Sequence, residues 1–248
     1  MKLEKKITNS KKILLIVLTC LIFVTLVLVS PTTNVRIGNL FFGKVPTMYN
    51  VNVAQFFFKR AASPFFGNTP PFTNYQLSRT YFIQGDFDNA IYYANKELDL
   101  YPENCRTHYI RGLTYGYMND LDNAIEDFET FNTSCVKDSW AGHNDLAWFY
   151  FRKGDIEGML RTMEKVVSKN ETNPWVQNAY GIALLNLGRY EEAVIAFKKA
   201  LTVANAMTEK DWGVAYPGNS PRIYERGLLN MRKTLQENLK VATEKMKS

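Results

Sequence analysis

Small side chains recur along this chain at a nearly constant interval. One set of small residues, separated by 34, 35 and 34 positions, comprises Ser78, Gly112, Ala147 and Gly181. A second set with the same spacing comprises Ala90, Ala124, Met159 and Ala193, in which only the methionine is large. Two helices pack at short distance only where small side chains lie in the contact. The two sets in phase therefore predict a series of helical hairpins, each stacked on the next.

The residues between the two sets predict where each hairpin turns. Glycine or asparagine occupies the position that needs a left-handed backbone to end a helix: Gly85, Asn119, Gly154 and Gly188. The next position is aspartate in three of the four units, at Asp86, Asp120 and Asp155. Aspartate caps helix N-termini well, so a second helix is predicted to begin directly after each turn.

These features resemble the tetratricopeptide repeat (TPR), a helix–turn–helix unit of 34 residues. The resemblance covers about residues 32–207 and implies an all-α, TPR-type α-solenoid. Four repeats are predicted over 71–207, and a degenerate first TPR-like repeat over 31–70, where an irregular Phe-rich linker is the alternative. Glu97 and Phe131 stand where the family favours alanine, so the local packing there is expected to differ.

The C-terminal segment is predicted to close the repeat array. Residues 208–220 contain Trp212, Pro217 and Gly218 and predict a loop. Residues 221–248 predict a capping helix, whose apolar stripe consists of Leu228, Met231, Leu235 and Leu239. Contact of this basic helix with anionic lipid headgroups is the alternative.

An uncharged segment near the N-terminus predicts a membrane anchor. Residues 13–30 have no charged side chain and would form a transmembrane helix of about 27 Å. A cleaved signal peptide is the alternative, but Leu28 occupies a position where cleavage requires a small residue. Cys20 is interpreted as a membrane-buried thiol. Five lysines lie in residues 1–12, so these residues are predicted to form a basic cytoplasmic tail and 31–248 to be extracytoplasmic.

The charge distribution argues against nucleic acid as a partner. The chain carries a net charge of +6. Residues 1–12 and 221–248 each contribute +4, which leaves 13–220 at −2. A chain whose main body is slightly acidic lacks the basic face that nucleic-acid binding requires.

Two of the three cysteines fall at neighbouring ends of one predicted hairpin. Cys105 opens the first helix of the second clear repeat, and Cys135 follows its second helix. A disulfide in an oxidising compartment is predicted, with two buried free thiols as the alternative. Asn132 and Asn170 begin triplets that match glycosylation acceptors.

No residue pattern typical of catalysis or metal binding is found. The two histidines, His108 and His143, fall at helix-packing positions, and pairs such as Glu126–Asp127 are interpreted as solvated helix faces. The chain is therefore predicted not to be an enzyme and to bind no metal or cofactor.

The resemblance also implies a concave groove lined by the first helix of each repeat. The residues expected to point into it are Tyr75, Arg79, Phe82, Arg106, Tyr109, Tyr117, Asn144, Trp148, Arg152, Trp175 and Asn178. Tyrosine, tryptophan and arginine are typical of binding hot spots. The alternative is that these side chains only pack between repeats. The lysine-rich clamp that some TPR proteins use for an acidic peptide terminus is absent from these positions.

The predicted function is that of a membrane-anchored TPR scaffold. It would bind a protein or peptide partner on the extracytoplasmic side, as an adaptor or assembly factor for an envelope machine. One alternative is a cytosol-facing organelle receptor for targeting peptides, and another is a glycan-binding accessory protein. The sequence leaves the oligomeric state open.

Overall fold

The computed structural model describes residues 12–19, 21, 25, 30–136, 139–215 and 224–247. Throughout these ranges the regular secondary structure is helical, without a strand. The helices after Ser30 are α1 (Pro31–Asn39), α2 (Val51–Ala61), α3 (Thr73–Gln84), α4 (Phe87–Leu100), α5 (Arg106–Tyr117), α6 (Leu121–Ser134), α7 (Trp140–Lys153), α8 (Ile156–Val167), α9 (Pro174–Asn186), α10 (Tyr190–Ala206), α11 (Glu209–Ala215) and α12 (Tyr224–Lys247). The chain divides into two compact units, Met1–Leu77 and Ser78–Ser248.

The predicted anchor lies partly outside the described residues. Residues 12–19, Leu21 and Thr25 are helical, whereas Cys20, 22–24 and 26–29 are not described. Over the part of the chain that is described, no helix is both long and apolar enough to cross a membrane. The predicted basic tail also falls outside the description, except for Lys12.

The first unit contains a helical hairpin made of α1 and α2. Ser30 caps α1 by accepting a hydrogen bond from the Thr33 backbone N–H. The two helices pack closely at Gly38, where a Cβ atom would lie 2.5 Å from the ring of Phe58. A π-helical turn over Leu40–Lys44 and a short 3₁₀ helix over Pro46–Met48 connect them. This connection is longer than those of the later hairpins.

The second unit confirms the predicted turns. The four residues expected to adopt a left-handed backbone do so, with φ of +76° at Gly85, +66° at Asn119, +83° at Gly154 and +76° at Gly188. The side chains of Asp86, Asp120 and Asp155 cap α4, α6 and α8. The fourth turn has Arg189 in place of aspartate, and Arg189 instead pairs with Glu192 through two hydrogen bonds of 2.7 Å.

The sizes of the side chains in the hairpin contacts are complementary. Gly181 on α9 faces Phe197 on α10, and an added Cβ would lie 2.7 Å from that ring. In the hairpin before it, Ala147 and Met163 belong to one buried cluster. A large ring thus packs on glycine, whereas a narrower side chain shares a buried cluster with alanine. Complementary sizes of this kind suit dense protein packing.

The two departures from the family pattern are accommodated by nearby residues. Phe131 is buried against Gly142, where a Cβ would lie 2.7 Å from its ring. Glu97 is fully buried and accepts a hydrogen bond of 2.9 Å from the Asn104 amide. Neither residue disrupts the helix that contains it.

The expectation that Asp127 is solvated is wrong. Its side chain is buried and accepts hydrogen bonds from Arg111, which forks across both carboxylate oxygens at 2.8 Å. His108 Nδ1 lies 2.7 Å from the same carboxylate, and Arg111 also donates to Asn95 on α4. Burial opposes ionisation, but the bonds from Arg111 and His108 outweigh it and hold the pKa of Asp127 below its usual value. This network joins α4, α5 and α6.

The predicted loop over 208–220 is wrong in its first half, because it contains α11. Thr208 and Asp211 form a reciprocal cap: the Asp211 carboxylate accepts from the Thr208 N–H, and the Thr208 hydroxyl accepts from the Asp211 N–H. Residues 216–223, which include the predicted start of the capping helix at residue 221, lie outside the described residues. Trp212 of α11 packs on Gly227 of α12.

The apolar stripe of α12 faces α10. Leu228 and Leu235 are buried, and Met231 and Leu239 pack against buried clusters that include residues of α10. Arg232 donates to the carbonyls of Ala204 and Met207 at the end of α10. The helix thus covers the last hairpin, as a capping helix does.

The structure joins Cys105 and Cys135 in a disulfide, with Cα atoms 5.6 Å apart. The bond ties the start of α5 to the end of α6. Asn132, in the first glycosylation triplet, is buried in the same hairpin, so its amide is inaccessible once the domain has folded. Asn170, in the second triplet, donates to the Val166 carbonyl.

We predict that the size pairing can be tested by exchanging one pair for the other. Gly181→Ala should lower the free energy of unfolding by about 1–3 kcal/mol because its methyl group overlaps Phe197. Adding Phe197→Met should recover part of that loss, because it recreates the Ala147–Met163 pair. Urea denaturation of both single variants and the double variant measures the coupling, and strictly additive effects would contradict size complementarity.

We predict that the disulfide stabilises the second unit. Its cysteines are 30 residues apart, so reduction, or replacement of both by serine, should cost about 3–4 kcal/mol in the chain-entropy account. Thiol labelling of the unfolded, unreduced protein should modify Cys20 alone, and labelling after reduction should modify three thiols. Three reactive thiols before reduction would refute the bond.

Candidate binding groove

The predicted groove residues lie on the first helices of the hairpins, and side-chain contacts link these helices in succession. In the second unit, Phe82 links α3 to α5, Tyr109 and Arg152 link α5 to α7, Trp175 links α9 to α7, and Asn178 links α9 to α12. We call this surface of α3, α5, α7 and α9 the first-helix face. Its side chains divide into those used in internal bonds and those left exposed.

An aromatic cluster forms the first part of this face. The rings of Phe82 and Tyr117 meet edge to face at 5.2 Å, and both lie 5.9 Å from Phe87. Tyr117 remains 65% exposed. Phe87 was not among the predicted groove residues, since it belongs to a second helix and only the folded hairpin brings it to this face.

A half-buried carboxyl group lies in the middle of the face. The Tyr109 hydroxyl, on α5, donates to Asp145 on α7, and the rings of Phe128 and Phe131 hold Tyr109 edge-on at 5.1 Å. Burial raises the pKa of Asp145 to about 7, although hydrogen bonds from Tyr109 and Asn144 act in the opposite direction. Tyr109 and Asn144 are therefore engaged within the protein, and Asp145 belongs to the first-helix face although the sequence did not single it out.

Trp148 is the largest exposed side chain of the middle hairpins. Its indole stacks on Phe151 at 5.2 Å, with 18° between the planes, and the residue is 47% exposed. One turn later, Arg152 donates to the Gly116 carbonyl at 2.6 Å and to the Asn119 side chain at 2.8 Å. Arg152 is thus a structural link between repeats, whereas Trp148 presents a flat, supported ring to solvent.

Trp175 lines a cleft at the start of α9. Its ring lies 5.5 Å from that of Trp140, and both border a cavity of about 420 Å³ together with Lys169, Asn173 and Met207. Asn173 caps α9 at this cleft. Asn178, further along the same helix, accepts a hydrogen bond of 2.9 Å from Asn238, so the capping helix engages the last groove position.

The three remaining predicted residues differ in their surroundings. Tyr75 belongs to the first unit, where it contacts Phe72 edge to face at 6.2 Å. Arg79 is half-buried, and Arg106 is exposed at the start of α5. Phe151, the support of Trp148, was missed, although its spacing of three residues on one helix could have indicated it.

Both histidines make contacts within the protein. His143 is buried, with Nδ1 2.9 Å from the Ser139 carbonyl, and His108 belongs to the Asp127 network. Among the described residues, no group of three or more histidine, cysteine or acidic side chains could hold a metal ion.

We predict that Asp145 makes stability depend on pH. Its pKa of about 7 in the folded state exceeds the value of ~3.9 expected in an unfolded chain. The folded state then binds more protons between these values, so its stability should fall as pH rises from 4 to 7 and level off above, by about 1–3 kcal/mol. Urea denaturation at pH 5 and pH 8 should show this slope reduced in Asp145→Asn. Equal slopes in the two proteins would contradict the raised pKa.

Comparison with known families gives matches to the tetratricopeptide repeat over residues 73–104, 106–131 and 176–206. These segments correspond to the hairpins α3–α4, α5–α6 and α9–α10. The hairpin α7–α8, which has methionine at the small-residue position, is outside the matches. No curated protein matches the chain.

Solved structures with TPR architecture resemble this fold. MamA from Desulfovibrio magneticus RS-1, from residue 41 to its end, has a TM-score of 0.60 and 16% identity over 70% of this chain and 97% of its own. A thermophilic TPR protein of Thermus thermophilus has a TM-score of 0.55 and 17% identity over 81% and 100% of the two chains. At these identities the likeness shows the fold alone: the chain contains TPR repeats and has an all-α, TPR-like architecture.

Proposed function

We propose that this protein is a membrane-anchored scaffold whose first-helix face binds a protein or peptide on the extracytoplasmic side. It would serve as an adaptor or assembly factor for an envelope machine. The observation that carries the binding proposal is the exposed aromatic surface of Trp148 and Tyr117, each supported from behind by phenylalanine.

The aromatic residues suit a peptide ligand because they are already held in place. Stacking on Phe151 fixes Trp148, and contacts with Phe82 and Phe87 fix Tyr117. A ligand that covers these rings would remove apolar area from water without first ordering them.

Two features of residues 13–30 support a membrane anchor: the segment has no charged side chain, and its described residues before Ser30 are helical. The side chains from Ile13 to Leu18, and Leu21, are each 46–65% exposed, so this helix offers apolar surface that no protein core covers. The Thr19 and Thr25 hydroxyls donate to the carbonyls of Leu15 and Leu21, four residues earlier. A helix in lipid must satisfy its polar groups internally in this way.

The extracytoplasmic placement is supported by the lysines before the anchor and by the disulfide. Five lysines in 1–12 favour a cytoplasmic N-terminus. The Cys105–Cys135 bond would persist in an oxidising compartment and would be reduced in most cytosols. A cytosol-facing receptor fits both observations less well.

We predict that crosslinking from the first-helix face will capture one defined partner. A photoreactive amino acid in place of Trp148 or Tyr117 should give the same adduct in intact cells. The same substitution at Tyr92, a tyrosine on α4 that is 51% exposed, is the matched control and should give none. Adducts at all three positions, or at Tyr92 alone, would count against the groove.

Alanine at both groove positions provides a second test once that partner is purified. The double variant Trp148→Ala/Tyr117→Ala should bind it at least about 10-fold more weakly, because exposed aromatic anchors dominate such interfaces. The folded state should persist, since both side chains are largely outside the core. Unchanged affinity in a calorimetric titration would remove the groove from the interface.

We predict that protease added to sealed, right-side-out membrane preparations will digest residues 31–248 and spare the N-terminal tail. The lysine asymmetry and the disulfide both lead to this orientation. Tags at the two termini report the two sides, with detergent-opened membranes as the control for protease activity. A protected C-terminal tag would support the opposite orientation, that of a cytosol-facing receptor.

A further inference from the structure

The first unit has an unusual distribution of phenylalanine and charge. Residues 31–77 contain 8 of the 16 phenylalanines of the chain and none of its 24 acidic residues. The same segment contains four basic residues, at Arg36, Lys44, Lys59 and Arg60. Further along, the first acidic residue is Asp86. This segment therefore combines many aromatic side chains with a net positive charge.

Part of that phenylalanine is exposed in one contiguous surface. Phe65 is 86% exposed and Phe56 is 56% exposed. Phe65 contacts Phe66 edge to face at 5.1 Å, and the Arg60 guanidinium lies over Phe66 at 4.9 Å and over Phe56 at 5.8 Å. We call Phe56, Arg60, Phe65 and Phe66 the juxtamembrane surface. The core of this hairpin uses other rings, among them Phe42 and Phe58.

The position of this surface in the chain limits what can cover it. The apolar segment ends at Ser30, which caps α1, so the first helix of the unit begins one residue after the anchor. There is no linker that could carry α1 and α2 away from a bilayer in which 13–30 is embedded. The unit must then lie against the headgroup layer.

We propose that the juxtamembrane surface docks on the lipid bilayer, with Phe56, Phe65 and Phe66 in the interfacial region and Arg60 at the anionic phospholipid headgroups. This inference rests on the proposed anchor. Phenylalanine on one side and basic residues beside it are the composition that binds peripheral helices to membranes. A surface without acidic residues avoids repulsion from lipid phosphates, and a guanidinium pairs well with phosphate oxygens.

The docking would have a mechanical consequence for the scaffold. A single transmembrane helix leaves a domain free to tilt about its junction with the membrane. A second contact, made by side chains of α2 and of the segment that follows it, fixes the orientation of the first unit on the bilayer. Stable attachment to membranes commonly requires two such signals.

The proposal can be tested with the full chain carrying a fluorophore at the surface. We would reconstitute wild type, Phe65→Trp and the control Tyr92→Trp into vesicles of phosphatidylcholine with or without 30% phosphatidylglycerol. Wild type supplies the background from its four tryptophans. The lipids of these vesicles would carry brominated acyl chains, which quench only fluorophores that lie in or near the membrane. The added signal of Phe65→Trp should be quenched at least 2-fold in phosphatidylglycerol vesicles, and that of Tyr92→Trp should be unaffected.

Failure of the anchor and failure of the docking would give different results. Protein that floats with pure phosphatidylcholine vesicles, while the Phe65→Trp signal stays unquenched in both compositions, would overturn the docking and assign the surface to a protein partner. Wild type that fails to float with either vesicle would overturn the anchor and, with it, this inference. Adding Arg60→Gln to Phe65→Trp should weaken the quenching, which would support the role of the guanidinium. Quenching that changes neither with Arg60→Gln nor with phosphatidylglycerol would overturn that role.

Discussion

The fold depends on how closely the two helices of each hairpin can approach. In the hairpins of the second unit the sizes of facing side chains compensate: phenylalanine packs on Gly181, whereas methionine shares a buried cluster with Ala147. Pairs that fill the same volume hold helices at the same separation. Hairpins of different sequence can therefore stack in one register, and this register places the first helices side by side.

Buried polar groups then fix which neighbour each hairpin contacts. Asp127 is removed from water, and an unpaired carboxylate in that position would be unstable. Arg111 and His108 supply the compensating bonds, and Arg111 extends the network to Asn95 in the preceding hairpin. An apolar contact tolerates small shifts along the helix axis, but a forked arginine–carboxylate pair has one good geometry. The network thus adds specificity to the packing.

The sequence predicted the features that recur and missed those that depend on a single contact. The repeated spacing located the hairpins, glycine or asparagine at the same place in each unit located the left-handed turns, and an apolar stripe located the helix that covers the last hairpin. It missed α11, whose signal is one capping pair, Thr208 and Asp211. The sequence analysis also misassigned Asp127, because an acidic residue on a helix is expected to face solvent unless its partners are known. Phe87 reached the groove from a second helix, and only the tertiary structure determines that position.

The residues predicted to line the groove are of two kinds: some are bonded within the chain, and others are exposed to solvent. Tyr109, Arg152 and Asn178 bind other parts of the chain, whereas Trp148 and Tyr117 keep exposed faces. Asp145 connects the two roles. A carboxyl with a pKa near 7 changes from hydrogen-bond acceptor to donor within the physiological range. The Tyr109 hydroxyl can donate or accept, so their bond can persist in both states and the helices need not move. Protonation would then alter the charge of this surface while leaving its shape unchanged, so pH would change which ligand charge the surface favours.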